Sequence, residues 1–226
     1  MPLAAINLRT PTSVPPEERN FLPRDPFEPW ERRGQLRLVM QPAQILLMYV
    51  VVPLWFCAGM ADYLCHRRSD LAHTSGAKES LIHLLMFAEM AVPLLAALLL
   101  EINALVFAIM IVAFLAHEVT ALWDVSYAKT RRDISPIEQH VHSFLELIPF
   151  AAGLLLATLH WPQFLALFGL GDEPSRFVLE LKREPLPPMY VVAVLAGAAL
   201  LEALPYLEEL WRALWTNGFR LVPRRR

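Results

Sequence analysis

The sequence predicts an all-α, polytopic integral membrane protein: a helical bundle of about five transmembrane helices with a four-helix metal-binding core. Three observations lead there. The chain is 56% hydrophobic with a mean hydropathy of +0.40, too apolar for an ordinary soluble domain. Five stretches reach the roughly 20 apolar residues that a helix needs to cross a hydrocarbon core of about 30 Å. Acidic and imidazole side chains recur near the ends of those stretches.

Residues 1–41 read as a Pro-rich polar tail. They lack an apolar core behind a basic start, so no signal peptide is expected, and Phe21, Phe27 and Trp30 could lie along a membrane surface or a partner. The transmembrane domain is expected over 42–215 and a basic tail over 216–226. The first span is assigned to 43–66, with Pro42 in its first turn and a kink at Pro53. Cys57 and Cys65 are eight positions apart on this helix, a rise of about 12 Å against a disulfide limit of roughly 7 Å, so free thiols are expected.

The second span, 78–100, turns back through Glu101, Ile102 and Asn103 into the third, 102–124, making the two antiparallel neighbours. Ser135, Pro136 and Glu138 look like an N-cap, a first-turn proline and the third position of a capping box, opening the fourth span at 137–160. The following connection alternates apolar and charged residues, and part of it is expected as an interfacial amphipathic helix. The fifth span, 189–211, carries Glu202 at mid-length.

Consecutive spans reverse direction, so the end of the first, the start of the second, the end of the third and the start of the fourth share one side. Asp62 and His66, Glu79 and His83, His117 and Asp124, and Glu138 and His142 occupy those four ends. A spacing of four leaves two side chains about 40° apart on a helix, and a spacing of seven about 20°. Each helix therefore offers one acid and one imidazole on one face, in one layer. Charged groups in an apolar medium face a cavity, an ion or one another, and this set suits two divalent metal ions, with iron preferred and zinc or manganese as alternatives. Glu79 and Glu138 are also candidate catalytic acids or bases. His140 and Glu118 point off the shared faces; Glu146 continues the Glu138 and His142 stripe as an extra ligand or as an outer partner orienting an imidazole, and Glu89 lies deeper, where it bonds a ligand, relays protons or stands as a protonated structural acid.

The stretches ESLIH, HEVTALWD and SPIEQHVH resemble those of membrane non-haem di-metal proteins, a class that includes alternative oxidases and histidine-rich fatty-acid hydroxylases and desaturases. The carboxylate members space Glu and His three apart, whereas Glu79 to His83 and Glu138 to His142 are spaced four. The resemblance implies oxygen-dependent oxidation or hydroxylation of a lipophilic small molecule, with a redox partner. Two other readings stand beside it: a zinc-dependent membrane lipid amidase or hydrolase, and a haem b protein using His83 and His142 or an ion conduit.

Formal charge is −2, with no basic stripe interleaved with aromatics, so membrane lipids rather than nucleic acid are the expected surroundings. Arg67, Arg68, Lys78, Lys129, Arg131 and Arg132 fall on the ligand side and are read as positive-inside topology, which makes that side cytoplasmic in a bacterial inner membrane; Arg32, Arg33 and Arg37 stand on the other side. Tyr63, Trp123 and Tyr127 are expected in an interfacial belt.

Overall fold

A computed structural model describes residues 42–223. The expected features of 1–41 and the terminal Arg224, Arg225 and Arg226 lie outside them. Seven helices follow in order: α1 (Pro42–Arg68), α2 (Leu71–Thr74), α3 (Ala77–Leu99), α4 (Ala104–Lys129), α5 (Pro136–Leu159), α6 (Trp161–Leu167) and α7 (Pro188–Thr216). The five longest are long and apolar enough to cross a membrane. They match the five expected spans; α4 runs five residues beyond its expected end and α7 likewise, because the polar residues that looked like exits from the membrane continue the helix.

Local chemistry sets the boundaries. Asn103 caps α4, its side-chain oxygen accepting from the Val106 amide at 3.2 Å, and Ser135 caps α5 by accepting from the Glu138 amide at 3.2 Å. Gly76 enters α3 at φ +77°, a region that costs glycine little. Ahead of Pro53, residues Leu47–Val51 widen into a π-turn, one way a helix absorbs a proline that removes an amide donor. A second π-segment, Ala198–Ala203, interrupts α7.

The spans close into a ring: α4 packs on α3, α3 on α7, α7 on α1, α1 on α5 and α5 on α4. Small residues allow close approach, since a Cβ at Gly197 would stand 2.6 Å from the Phe56 ring. Phe56, Leu98, Val194 and Ala198 form one apolar cluster, and Ile102, Val106, Phe107 and Met110 belong to another. Val112, Val119, Leu122, Leu147 and Leu200 are exposed on the outside, as lipid-facing positions are.

Part of the connection after α5 is helical, as expected. Only the seven residues of α6 are helical; the chain then runs extended and straps the α3–α4 turn. The Glu101 amide donates to the Glu180 carbonyl at 2.9 Å, the Lys182 amide to Leu99 at 2.9 Å, and the Asn103 side-chain amide to Val178 at 2.8 Å. Unpaired backbone at the α3–α4 turn is worth more to this segment than a helix of its own. At the other end, the chain beyond α7 folds back: the Lys78 amide donates to the Leu221 carbonyl at 2.9 Å and the Asn217 side chain to the Ala72 carbonyl at 2.7 Å.

Two assignments to the membrane surface are corrected. Tyr127 is buried, its hydroxyl donating to the Ser75 carbonyl at 2.9 Å and its ring lying 4.4 Å from the Lys78 ammonium; only Trp123 is exposed as a belt residue would be. Tyr63 is not among the corrected groups: it is half-buried and donates to the part-exposed Glu208 at 2.8 Å. Arg132 is not a headgroup-facing loop cation either, because its side chain is 3% exposed and turns into the bundle.

Candidate metal centre

The ring of spans brings the layer together. Asp62, His66, Glu79, His83, His117, Asp124, Glu138 and His142 are all buried. Two groups hold their ligand atoms within 4.8 Å of one another: Asp62, His66 and His142, and His66, Glu79 and His83. Either buried group can hold a metal ion. Asp124 and Glu138 adjoin them, with Asp124 Oδ1 3.3 Å from His83 Nε2 and Glu138 Oε1 3.6 Å from His66 Nε2. His117 stands apart from both groups and is 3.9 Å from a Glu89 oxygen. His140 is exposed and edges against Phe144, as its off-face position foretold.

Glu209 of α7, which the sequence reading left out, organises the imidazoles. It is fully buried, and its two carboxylate oxygens each stand 3.0 Å from a ring nitrogen, Oε2 from His66 Nδ1 and Oε1 from His83 Nδ1. A carboxylate only accepts, so both Nδ1 atoms donate and both Nε2 atoms are turned away from Glu209. The two rings are parallel, 4.3 Å apart and 8° out of plane. Two cationic rings so placed would repel, whereas neutral imidazoles held by a shared acid are what metal ligation asks for.

The spacings beyond Glu209 are informative. His66 Nε2 is 3.4 Å from Asp62 Oδ1, and His142 Nε2 is 2.9 Å from the same oxygen. Around an ion with bonds of about 2.1 Å, neighbouring ligand atoms stand roughly 3.0 Å apart in octahedral geometry and roughly 3.4 Å in tetrahedral geometry. The separations of 3.3–3.6 Å are poor hydrogen bonds and suitable for a shared cation. His66 Nε2, Glu79 Oε2, His83 Nε2 and Asp124 Oδ1 are buried and have no hydrogen-bond partner, a combination rare in a settled core, while Asp62 Oδ1 has His142 Nε2 at 2.9 Å.

Arg132, from the loop between α4 and α5, is the one cation inside the set among the described residues with hydrogen bonds to its acids. A single terminal nitrogen donates to Glu79 at 2.6 Å and to Glu138 at 2.5 Å. Burial by itself pulls the guanidinium down, but the bonds to Glu138 and Glu79 outweigh it and raise it above its ordinary value. The side chain of Glu138 therefore serves Arg132 and the polar layer, while only its backbone takes part in the Ser135 cap.

Beside the layer lies a cavity of about 50 Å³. Its lining includes the polar Asp62, His83, Asp124 and His142 and the apolar Trp55, Met86, Phe87 and Met90; His117, Glu146, Glu202 and Tyr206 complete the polar part. Tyr206 donates to Asp62 Oδ2 at 3.2 Å, and Thr120 donates to Glu89 at 2.8 Å. Glu202, Tyr206 and Glu209 all come from α7, so the fifth span completes a layer that the first four begin. Comparison with family models, curated proteins and solved structures finds no significant match to this chain.

Proposed function

We propose that this chain is an integral membrane metalloenzyme in which a dinuclear carboxylate and histidine centre, with iron the preferred metal, oxidises or hydroxylates a lipophilic substrate using dioxygen. The observation that carries the reading is Glu209: one buried acid aims two parallel imidazoles at a group of carboxylates whose facing atoms lack partners. A single Nε2 of His66 can serve only one ion, so the set divides into Asp62, His66, Glu138 and His142 for one site and Glu79, His83 and Asp124 for the other. Seven oxygen and nitrogen donors exceed what one tetrahedral zinc takes and suit ions of higher coordination.

When bound, such a pair of ions supplies redox chemistry that no side chain offers. The residues present hold the ligands, exclude bulk water and orient the substrate. Hydroxylation inserts one oxygen atom of dioxygen into a C–H bond and reduces the other to water, with two electrons and two protons from a redox partner. Trp55, Met86, Phe87 and Met90 give the cavity an apolar lining that suits a membrane-dissolved molecule. The Arg67, Arg68, Lys78 and Lys129 end is assigned to the cytoplasmic face of a bacterial inner membrane, where a soluble reductant can reach it.

The test is reconstitution in lipid nanodiscs, loaded anaerobically with iron and given isotopically labelled dioxygen and a chemical reductant. The expected result is oxygen consumption and label in a lipid-extractable product with iron, and neither with zinc. Full turnover with zinc and no oxygen requirement points instead to hydrolysis. An intense absorption band in the blue points to haem.

A further inference from the structure

The centre described above leaves Glu202 without a role. It lies in α7 at the membrane interior, is 2% exposed, and its Oε1 atom is buried without a partner. It is absent from both metal groups. A carboxyl in such a place is costly unless something bonds it. Three features show that the fold makes room for this one. Gly59 of α1 faces it, and a Cβ there would overlap the Glu202 carboxylate. The residue sits in the π-segment Ala198–Ala203, a local distortion often found where a helix aims a side chain for function. It lines the same cavity as Asp62, His83 and His142, one turn before the Tyr206 that bonds Asp62.

Trp55, Met86, Phe87 and Met90 make part of the lining apolar, and the cavity of about 50 Å³ admits roughly four water-sized volumes, so a six-membered ring does not fit and a narrow chain end does. We propose that Glu202 anchors the polar end of a single-chain amphiphile, a long-chain alcohol or similar hydroxyl-ended molecule, by a hydrogen bond between its free carboxyl oxygen and the hydroxyl, with the first carbons of the chain against Trp55, Met86, Phe87 and Met90. As a substrate assignment this rests on reading the adjacent layer as a reaction centre; as a binding site it stands on the cavity and on Glu202 alone. The hydroxyl-bearing carbon then lies in the same cavity that Asp62, His83 and His142 line, within the compass of the proposed oxidising centre.

The experiment uses the full chain in nanodiscs loaded with cobalt. Two photoreactive probes of equal length are compared, one a primary alcohol with a diazirine close to the hydroxyl and the other the same chain ending in methyl. Cross-linked peptides are read by mass spectrometry and cobalt is measured in the same samples. The alcohol is expected to label the segment 86–90 or Trp55, and the methyl-ended probe about tenfold less. Glu202→Leu is expected to lower alcohol labelling about tenfold and keep its cobalt, Glu202→Gln to retain most labelling, and Gly59→Ala, which displaces the carboxyl, to lose it. Equal labelling by the two probes, or labelling in Glu202→Leu equal to that of the unaltered chain, overturns the proposal. Labelling that depends on Glu202 in protein without cobalt sustains the anchor and sinks the metal reading; bound cobalt with labelling indifferent to Glu202 does the reverse.

Discussion

The two ends of the bundle handle buried polar groups in opposite ways. At the strapped end, Asn103 is fully buried and uses both ends of its amide, donating to Val178 and accepting from Val106, while Glu101 accepts from the Arg183 amide at 2.7 Å. At the other end, Glu79, His66, His83 and Asp124 keep atoms that are buried and unbonded. Among the described residues, no unpartnered buried side-chain atom belongs to the strap or the turn it covers. A membrane protein of this size can thus satisfy its polar groups when they serve only the fold. Of the shortfall at the other end, the carboxylate oxygens and imidazole nitrogens are atoms that a cation can satisfy, whereas the unpartnered Arg131, Arg132 and Arg212 nitrogens there are donors and are not.

If that contrast is sound, substitutions at the two ends must fail differently. The largest effect is expected from replacing His66 and His83 together with alanine: elemental analysis should show bound metal falling from stoichiometric to background, with the helical content by circular dichroism unchanged. Next comes Arg132→Ala, which strips the counter-cation from Glu79 and Glu138. Leaving buried charges unpaired costs about 3–5 kcal/mol, so the metal-free protein should unfold far more easily. Because an ion can take over the neutralisation, the metal-loaded protein should lose less, and the gap between their thermal midpoints should widen.

Glu209→Gln comes third. It leaves the ligands in place, and turns one of the two acceptor oxygens that fix the rings into an NH2 donor, a loss that in comparable outer partners of metal ligands costs about 10–100-fold in affinity; competition with a chelator measures it. The smallest effect is expected at the strapped end. Asn103→Ala removes a cap and a bond to Val178 at a cost of about 1–2 kcal/mol in stability, with metal content untouched. Metal loss in Asn103→Ala comparable to that in Glu209→Gln would erase the distinction between the ends.

The sequence showed the spans and the layer because both rest on short-range periodicity. Residues four apart on one helix share a face whatever surrounds them, so Glu79 with His83 and Glu138 with His142 could be paired in advance, and chain reversal put their ends together. Residues whose place depends on which helices adjoin were harder. Glu209 lay near the expected end of the last span and read as an exit from the membrane, although its spacing of seven from Glu202 repeats that of His117 and Asp124; nothing local says that α7 inserts between α1 and α3. Arg132 looked like any loop arginine until the fold folded it inward. His117 shares a face with Asp124, which reaches His83, but seven residues set it about 10 Å along the helix axis, so it lines the cavity and stays out of the two groups; a shared face does not fix depth.

The most direct measurement is metal content per chain in protein purified without added chelator, by elemental analysis, for the unaltered chain and for the His66→Ala, His83→Ala double variant. About two ions per chain in the first and none in the second is the expected outcome. A properly folded unaltered chain that holds no metal after exposure to iron, zinc or manganese would mean that the layer is a network of ion pairs and not a metal centre.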